Sequence, residues 1–344
     1  MHDRQNSAGG GDFLRKNRIR FIHAYDDIIS VDSLLEAWQE FVRGKRSRKD
    51  VQEFEGDLMA NILSLHRDLK SGDYRHSPYE FFKINDPKPR DIHKASVRDR
   101  LLHHAIYRKL YPFFDRTFIA DSFSCRLWKG THKAMDRFKV FARRVSCNHT
   151  KTVWVLKCDI RKFFASVDQQ ILLDILALYI PDKNILRLLE EIISSFHSAG
   201  PGTGLPLGNL TSQLLVNIYM NKFDRFVKHQ RKVRYYIRYA DDFVIFSQSR
   251  DTLISLIPRI QDFLWTILRL KLHPDKISVR TIASGVDYLG WVHFTNHRVI
   301  RTATKRRMLK RINDTGHKKE TVQSYLGLLS HGNARKLQNK ISGA

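Results

Sequence analysis

The stretch YYIRYADDFVIF, from Tyr235 to Phe246, sets two adjacent carboxylates, Asp241 and Asp242, inside a run suited to the interior of a sheet. Tyr235, Ile237 and Tyr239 alternate with other residues, as do Phe243 and Ile245, a period-two pattern rich in aromatic and β-branched side chains. The pattern predicts a strand, a sharp Ala-Asp-Asp tip and a second strand. Asp is a poor strand former and repels a like-charged neighbour, so the pair needs water or a cation. A third carboxylate, Asp159, closes the apolar run VWVLKCD, which reads as a buried strand. Phe163 and Phe164 follow it, and exposed aromatics would be wasted at a loop start. Three carboxylates converging at strand ends would repel unless divalent cations bind. Mg²⁺ takes oxygen ligands, usually one or two carboxylates completed by phosphates and waters. Two such ions about 3.5–4 Å apart can activate an attacking 3′-hydroxyl and stabilise a leaving pyrophosphate. The chemistry open to this set is nucleotide addition; an exposed turn is the plainer alternative.

The bulk charge suits that substrate. The 344 residues carry 60 Lys and Arg against 35 Asp and Glu, a formal charge of +25. Such an excess points to a polyanionic partner, nucleic acid first. Residues 298–344 sharpen this, with 12 Lys or Arg against Asp314 and Glu320 alone. Cys125, Cys147 and Cys158 form neither a paired framework nor a metal-ligand spacing, which fits a reducing compartment. Adjacent His103 and His104 cannot ligate from one helix face. No apolar run reaches about 18 residues and the N-terminus lacks a hydrophobic signal region, so a cytoplasmic chain with no membrane partner is expected.

The elements that must position these residues can be traced in the pattern. A helix should open at DSLLE, where Ser33 and Glu36 have capping-box spacing. Val51, Phe54, Leu58, Ile62, Leu65 and Leu69 step by three and four along a second helix. SPYEFFKINDPKPRDIHKAS reads as strand, loop and strand, and VRDRLLHHAIYRKLYPFF as helix. QQILLDILALYI and KNILRLLEEIISSF continue as helices. SAGPGTGLPLG, dense in Gly and Pro, leads into a helix from about Thr211 to Lys228. A further helix spans roughly 250–269, disturbed by Pro258, and GVDYLGWVHF looks like one arm of another hairpin. The basic tail can form two or three short helices. Together these give an α+β class, built around one antiparallel sheet without repeats or an independent second domain.

In this order the motifs resemble those of reverse transcriptases, most closely the enzymes of diversity-generating retroelements, within the group II intron-like superfamily. The likeness runs from about Leu34 to Lys340. INDPKPRDIHKASVRDRLLHHAI resembles the fingers motif, and FIADSFSCRLWKGTHKA the motif after it, where Trp128 replaces the family's usual Gly. LKCDIRKFFASVD, GLPLGNLTSQLLVNIYMNKFD and RYADDFVIF resemble palm motifs A, B and C; LHPDKI and VDYLGWVHF resemble D and E; SYLGLLSHGNARKL resembles the thumb. Motif B reads L-G-N-L-T-S-Q, Leu207 to Gln213, where intron-encoded and retroviral enzymes usually carry Q-G-x-x-x-S-P.

The resemblance implies a right-hand polymerase fold. It would comprise an N-terminal extension with one helix (1–45), fingers (46–152, with part of 181–205 interleaved), an antiparallel-sheet palm (153–295) and a short basic helical thumb (296–344). It implies that Asp159, Asp241 and the Ile160 backbone carbonyl hold two Mg²⁺ ions, with Asp242 a weaker or indirect partner. Phe164 would be the gate against a ribose 2′-hydroxyl, Lys88 and Arg90 would grip the triphosphate, and Lys276 would act as general acid for pyrophosphate. Leu207, Gly208 and Gln213 would line the nucleotide site, and Leu289 and Gly290 would form the primer grip. The partners implied are an RNA template, a DNA or RNA primer, deoxynucleoside triphosphates and a small pentameric-barrel accessory protein, in a bacterial, archaeal or phage setting. Leu207 cannot supply the hydrogen bond of the usual Gln, which supports a permissive pocket; the resemblance implies an enzyme whose errors concentrate at adenines. The tail is too short for a ribonuclease H or endonuclease domain, so template removal is expected elsewhere. Two alternatives stand beside this one: a retron or antiphage-defence reverse transcriptase, and a nucleic-acid-binding scaffold with an inactive palm.

Overall fold

A computed structural model describes residues 19–85, 89–198 and 200–342. The chain divides into two compact units, each assembled from separated segments: residues 1–78, 95–113 and 169–195, and residues 79–94, 114–168 and 196–344.

The first unit is helical. Its opening residues form two helices, Asp26–Ile29 and Val31–Phe41, rather than the single helix expected. The N-cap of the second is Ser30, whose side chain accepts from Ser33 N, so the cap stands three residues before the expected position. Lys49–Gly56 and Leu58–Ser71 form two helices where the apolar stepping suggests one. Ile62, Leu65 and Leu69 are buried, as that stepping requires. Within this unit Tyr74, Ser77 and Ser96 all donate to Asp99, which lies buried beside His76 and His103.

Among the described residues the strands all belong to the second unit, and they form three antiparallel sheets where one is expected. β1 (Glu80–Ile84) pairs with β2 (Arg90–Lys94). A four-stranded sheet contains β3 (Trp154–Asp159), β4 (Tyr236–Tyr239), β5 (Asp242–Ser247) and β6 (Ser278–Thr281) in the order β4-β5-β3-β6. The third sheet is β7 (Val286–Tyr288), β8 (Trp291–His293) and β9 (Arg298–Ile300). GVDYLGWVHF therefore supplies both arms of a hairpin, not one. Its two-residue tip, Leu289-Gly290, has φ of +51° and +86°, and positive φ at both central residues is the backbone that matches strand twist.

Burial explains why β3 and β5 read as apolar runs: both faces of their sheet are covered. Val155, Ile237, Val244 and Phe246 pack with Phe138, Phe141 and Tyr288 on one side. On the other, Phe223 of the helix Leu210–Arg225 meets Phe243 at 5.1 Å between ring centroids. The helix Arg250–Leu268 runs unbroken through Pro258, with Leu253, Ile260 and Leu264 inward. Three helices close the chain, Thr302–Asp314, Lys319–Leu329 and Arg335–Ser342, around Met308, Ile312 and Leu329. Among the described residues no helix is long and apolar enough to cross a membrane.

Candidate active site

Strand register brings the carboxylates together. β3 and β5 are antiparallel with Asp159 opposite Asp242, and β4 and β5 with Tyr239 opposite Asp242. The hairpin tip is thus the two residues Ala240-Asp241, and Asp242 is the first residue of the strand rather than part of the tip. Ala240 holds φ +53°, a left-handed backbone that a side chain ordinarily avoids. The turn is bound to the next segment, since Ile160 N donates to Asp241 O at 3.2 Å. Asp159 O accepts from His273 N at 2.8 Å, which carries the 3₁₀ turn Pro274–Lys276 to the site.

Electrostatics here are unbalanced. Burial pushes the Asp242 carboxyl up to about 7; Lys157 opposes this, and the charges of Asp159 and Asp241 add to it. Burial and then Asp159 also raise Asp241, while Lys276 and Arg90 pull it down. Asp242 Oδ1 is buried with no hydrogen-bond partner among the described residues. Two lysines face the acids: Lys276 Nζ donates to Asp159 Oδ1 at 2.8 Å, and Lys157 Nζ lies 3.6 Å from Asp242 Oδ2. Lys157 escaped the sequence reading, although a signal existed. In a strand, residues two apart share a face, so the one cation within VWVLKCD had to point where Asp159 points.

The remaining predicted residues fall on neighbouring segments of the same unit. Arg90 begins β2 and is exposed, and its charge reaches Asp241. Lys88 lies outside the described residues. The stretch carrying Leu207 and Gly208 is stitched to β2: His93 N donates to Leu207 O at 3.1 Å, and Asn209 Nδ2 to His93 O at 3.0 Å. Gly208 has φ +114°, and a Cβ there would come within 3.1 Å of Ile92 Cγ2, so both backbone and space select glycine. Half-buried Phe164 sits in the 3₁₀ turn Phe163–Ser166, and its carbonyl accepts from Leu205 N at 2.8 Å. Gln213 lies in the first turns of the helix Leu210–Arg225, partly exposed.

A second set of residues, also missed, supports the hairpin from behind. Arg238 is fully buried in β4; its Nε and Nη2 each donate to Asp224 at 2.7 Å, and Nη1 donates to Ala240 O at 3.0 Å. It thereby fixes the carbonyl of the tip itself.

Comparison with known proteins gives the family of the chain. The model of the reverse transcriptase (RNA-dependent DNA polymerase) family matches residues 83–293. The chain belongs to this family. Protein YkfC of Escherichia coli (strain K12) is 24% identical over 287 residues, which is 72% of this chain and 73% of that protein. The group II intron-encoded protein LtrA of Lactococcus lactis subsp. cremoris is 24% identical over 220 residues, 60% of this chain and 35% of its own. A putative COX1/OXI3 intron 2 protein of Saccharomyces cerevisiae is 20% identical over 69% of this chain and 34% of its own. The chain thus spans about a third of the length of these two intron proteins. Among solved structures, an apo telomerase from Candida tropicalis covers 71% of this chain and 60% of its own, with a TM-score of 0.49 and 13% identity. Reverse transcriptases are RNA-directed DNA polymerases with a right-hand fold, and the matched span includes β2, all three aspartates, Lys276 and the Leu289-Gly290 turn.

Proposed function

We propose that this reverse transcriptase belongs to a diversity-generating retroelement and copies a template-repeat RNA into cDNA with errors concentrated at adenines. In this reading the fingers are 46–152 with part of 181–205, the palm 153–295 and the thumb 296–344. The observation that carries the polymerase chemistry is the buried, unpartnered Oδ1 of Asp242 beside two further carboxylates. Such a donor set fits divalent cations whose shells are completed by phosphate oxygens and water. That fit does not need the protein to supply every ligand; among the described residues no three His, Cys, Asp or Glu side chains form a metal-binding group.

Asp159, Asp241 and the Ile160 carbonyl would hold two Mg²⁺ ions, with Asp242 behind them. When bound, the ions supply activation of the primer 3′-hydroxyl and neutralisation of the leaving pyrophosphate. Arg90 and Lys88 grip the triphosphate, a task for which the guanidinium fork suits phosphate oxygens. Lys276, which pairs with Asp159 here, would pass a proton to the leaving pyrophosphate. Phe164 stands against the sugar and turns away a 2′-hydroxyl. Leu289 and Gly290 seat the primer end.

Leu207 supports the subclass. Its carbonyl accepts from His93 N in β2, the strand that Arg90 begins, and its side chain offers no polar check on base-pair shape. The basic surface would receive RNA template and primer, with the pentameric accessory protein assisting. Primer extension on an RNA template with Mg²⁺ and deoxynucleotides, with products sequenced beside Asp241→Asn, tests this. Extension lost in the variant, with misincorporation piled at template adenines, is expected. Accurate extension would remove the subclass and leave a retron or defence enzyme; no extension with native RNA and accessory protein supplied would remove the polymerase.

A further inference from the structure

Trp128 is a large side chain whose placement packing does not explain. It is 89% exposed, next to Leu127 at 63%. Its backbone holds φ +61°, the left-handed region where a bulky residue is an outlier. An indole in water gains nothing from the hydrophobic effect, and strained backbone persists only where its surroundings enforce it.

The surroundings do enforce it. Arg126 is nearly buried; its Nε donates to Asp115 Oδ1 at 2.6 Å, and Nη1 donates to the carbonyls of Ile119 and Ser122 at 2.7 and 3.0 Å. Lys129 Nζ donates to Ala120 O at 2.8 Å and lies 5.1 Å from the centre of the Phe123 ring. Gly130 N closes the loop base on Phe123 O at 3.0 Å. Two cations therefore face inward and clamp the loop, and the apolar pair between them is turned out. The loop is also part of the catalytic hairpin's frame. Phe123 N donates to Arg238 O at 3.0 Å, Arg238 N to Asp121 O at 3.0 Å, and Thr131 Oγ1 to Tyr239 Oη at 3.1 Å, one residue before the Ala240-Asp241 tip.

We propose that Trp128 is a stacking platform for an unpaired base of the template strand ahead of the primer end. A chain of charge +25 that copies RNA holds a strand whose bases beyond the primer are unpaired and present free π faces. An indole offers the matching face, and stacking tolerates every base, as a template reader must. The rigid clamp removes the ordering cost that a mobile aromatic would carry. The loop's attachment to β4 ties any grip on the template to the strand that leads into the Ala240-Asp241 tip. The proposal rests on the chain taking a primed RNA template, and binding without nucleotides reads it apart from the chemistry.

The experiment measures anisotropy of a labelled primer–template with a short unpaired template overhang, and of a blunt duplex, against the full chain and Trp128→Gly, Trp128→Phe and Trp128→Leu. Stacking of one base converts to a loss of roughly 5- to 150-fold, so Trp128→Gly should lose about 10-fold or more on the overhang and nothing on the blunt duplex. Trp128→Phe should stay within about 3-fold of the parent, and Trp128→Leu should follow Gly. A 2-aminopurine in the overhang should be quenched by the parent and Phe chains only. Thermal melts confirm folding, which Gly eases by relaxing the backbone. Equal binding of the overhang by parent and Gly chains would overturn the proposal and leave the indole to a protein partner. Equal losses on both substrates, or Leu matching Trp, would overturn it as well.

Discussion

Two buried acidic sites lie along one hairpin and are treated in opposite ways. Behind the tip, Asp224 is fully buried and accepts from Arg238 Nε and Nη2 and from Tyr236 Oη, each at 2.7 Å. Arg238 spends its other donor positions on Ser122 Oγ, Asn217 Oδ1 and Ala240 O. In front of the tip, Asp242 keeps one buried oxygen without a partner, and its nearest cation lies at 3.6 Å. A buried carboxylate left short of partners costs about 1–3 kcal/mol or more. The same residue type is therefore a fastening at one end and short of partners at the other. Satisfaction, not burial, separates the two.

The largest effect should come from the unsatisfied side. Asp241→Asn is expected to lower primer extension at least 10³-fold, about 4 kcal/mol of transition-state stabilisation, because under the proposed function it removes one anchor for the ions. The variant should fold as well as the parent or better, since it removes a repelled charge. A fall in melting temperature would break the contrast, for it would make Asp241 structural.

Next is the fastening. Arg238→Met strands Asp224 without its cation and should destabilise the fold by about 3–5 kcal/mol in urea unfolding. Arg238→Met with Asp224→Leu should recover much of that, since replacing a buried pair by apolar groups is often neutral. If the single variant melts like the parent, the network is ornamental and the comparison fails.

Much of this was legible beforehand. The period-two runs around Asp159 and Asp241, the helix from Leu210 and the paired strands about residues 80–94 all follow from local pattern. What escaped depends on partners distant in sequence. Nothing within TSQLLVNIYMNKFDR marks Asp224 as the counter-ion of Arg238, because the pairing exists only once the helix lies on the sheet. Three sheets cannot be told from one by alternation, which fixes faces but not neighbours. Lys157 was readable and overlooked. The Trp128 loop shows the reverse: the replacement of a usual Gly is visible in sequence, but only φ +61° shows the backbone still adopts glycine's conformation.

A pH measurement sharpens the contrast at intermediate size. With its carboxyl at about 7, folded Asp242 keeps a proton that the unfolded chain releases near 4. Its contribution is fully present below pH 4 and is lost as pH rises through 7, roughly 2 kcal/mol between pH 5 and 8 without metal. Fully buried His103 in the other unit behaves oppositely. Burial lowers it to about 3, so its contribution is present above 6.5 and is lost as pH falls toward 3. Between pH 5 and 7 the two contributions therefore oppose one another, and Asp242→Asn should leave only the His103 limb, a urea midpoint that rises more steeply with pH. A slope unchanged by Asp242→Asn would assign the titration elsewhere.

The smallest effect concerns Leu207, which the proposed function sets beside the incoming nucleotide. The segment Leu207-Gly208 is fixed by His93 and Asn209 to β2, so a substituted side chain should keep its backbone and change only what it offers the nucleotide. Leu207→Gln returns an amide able to hydrogen-bond near the incoming base pair. A polar group that rejects poorly shaped pairs through one neutral hydrogen bond discriminates by about 1 kcal/mol, or roughly 5-fold. Misincorporation at template adenines should drop by that factor, with the extension rate within about 2-fold of the parent. Larger side chains that stay apolar, such as Leu207→Met, should leave the error spectrum unchanged. If Gln and Met behave alike, pocket volume and not the missing hydrogen bond sets fidelity, and the permissive site would be a matter of shape.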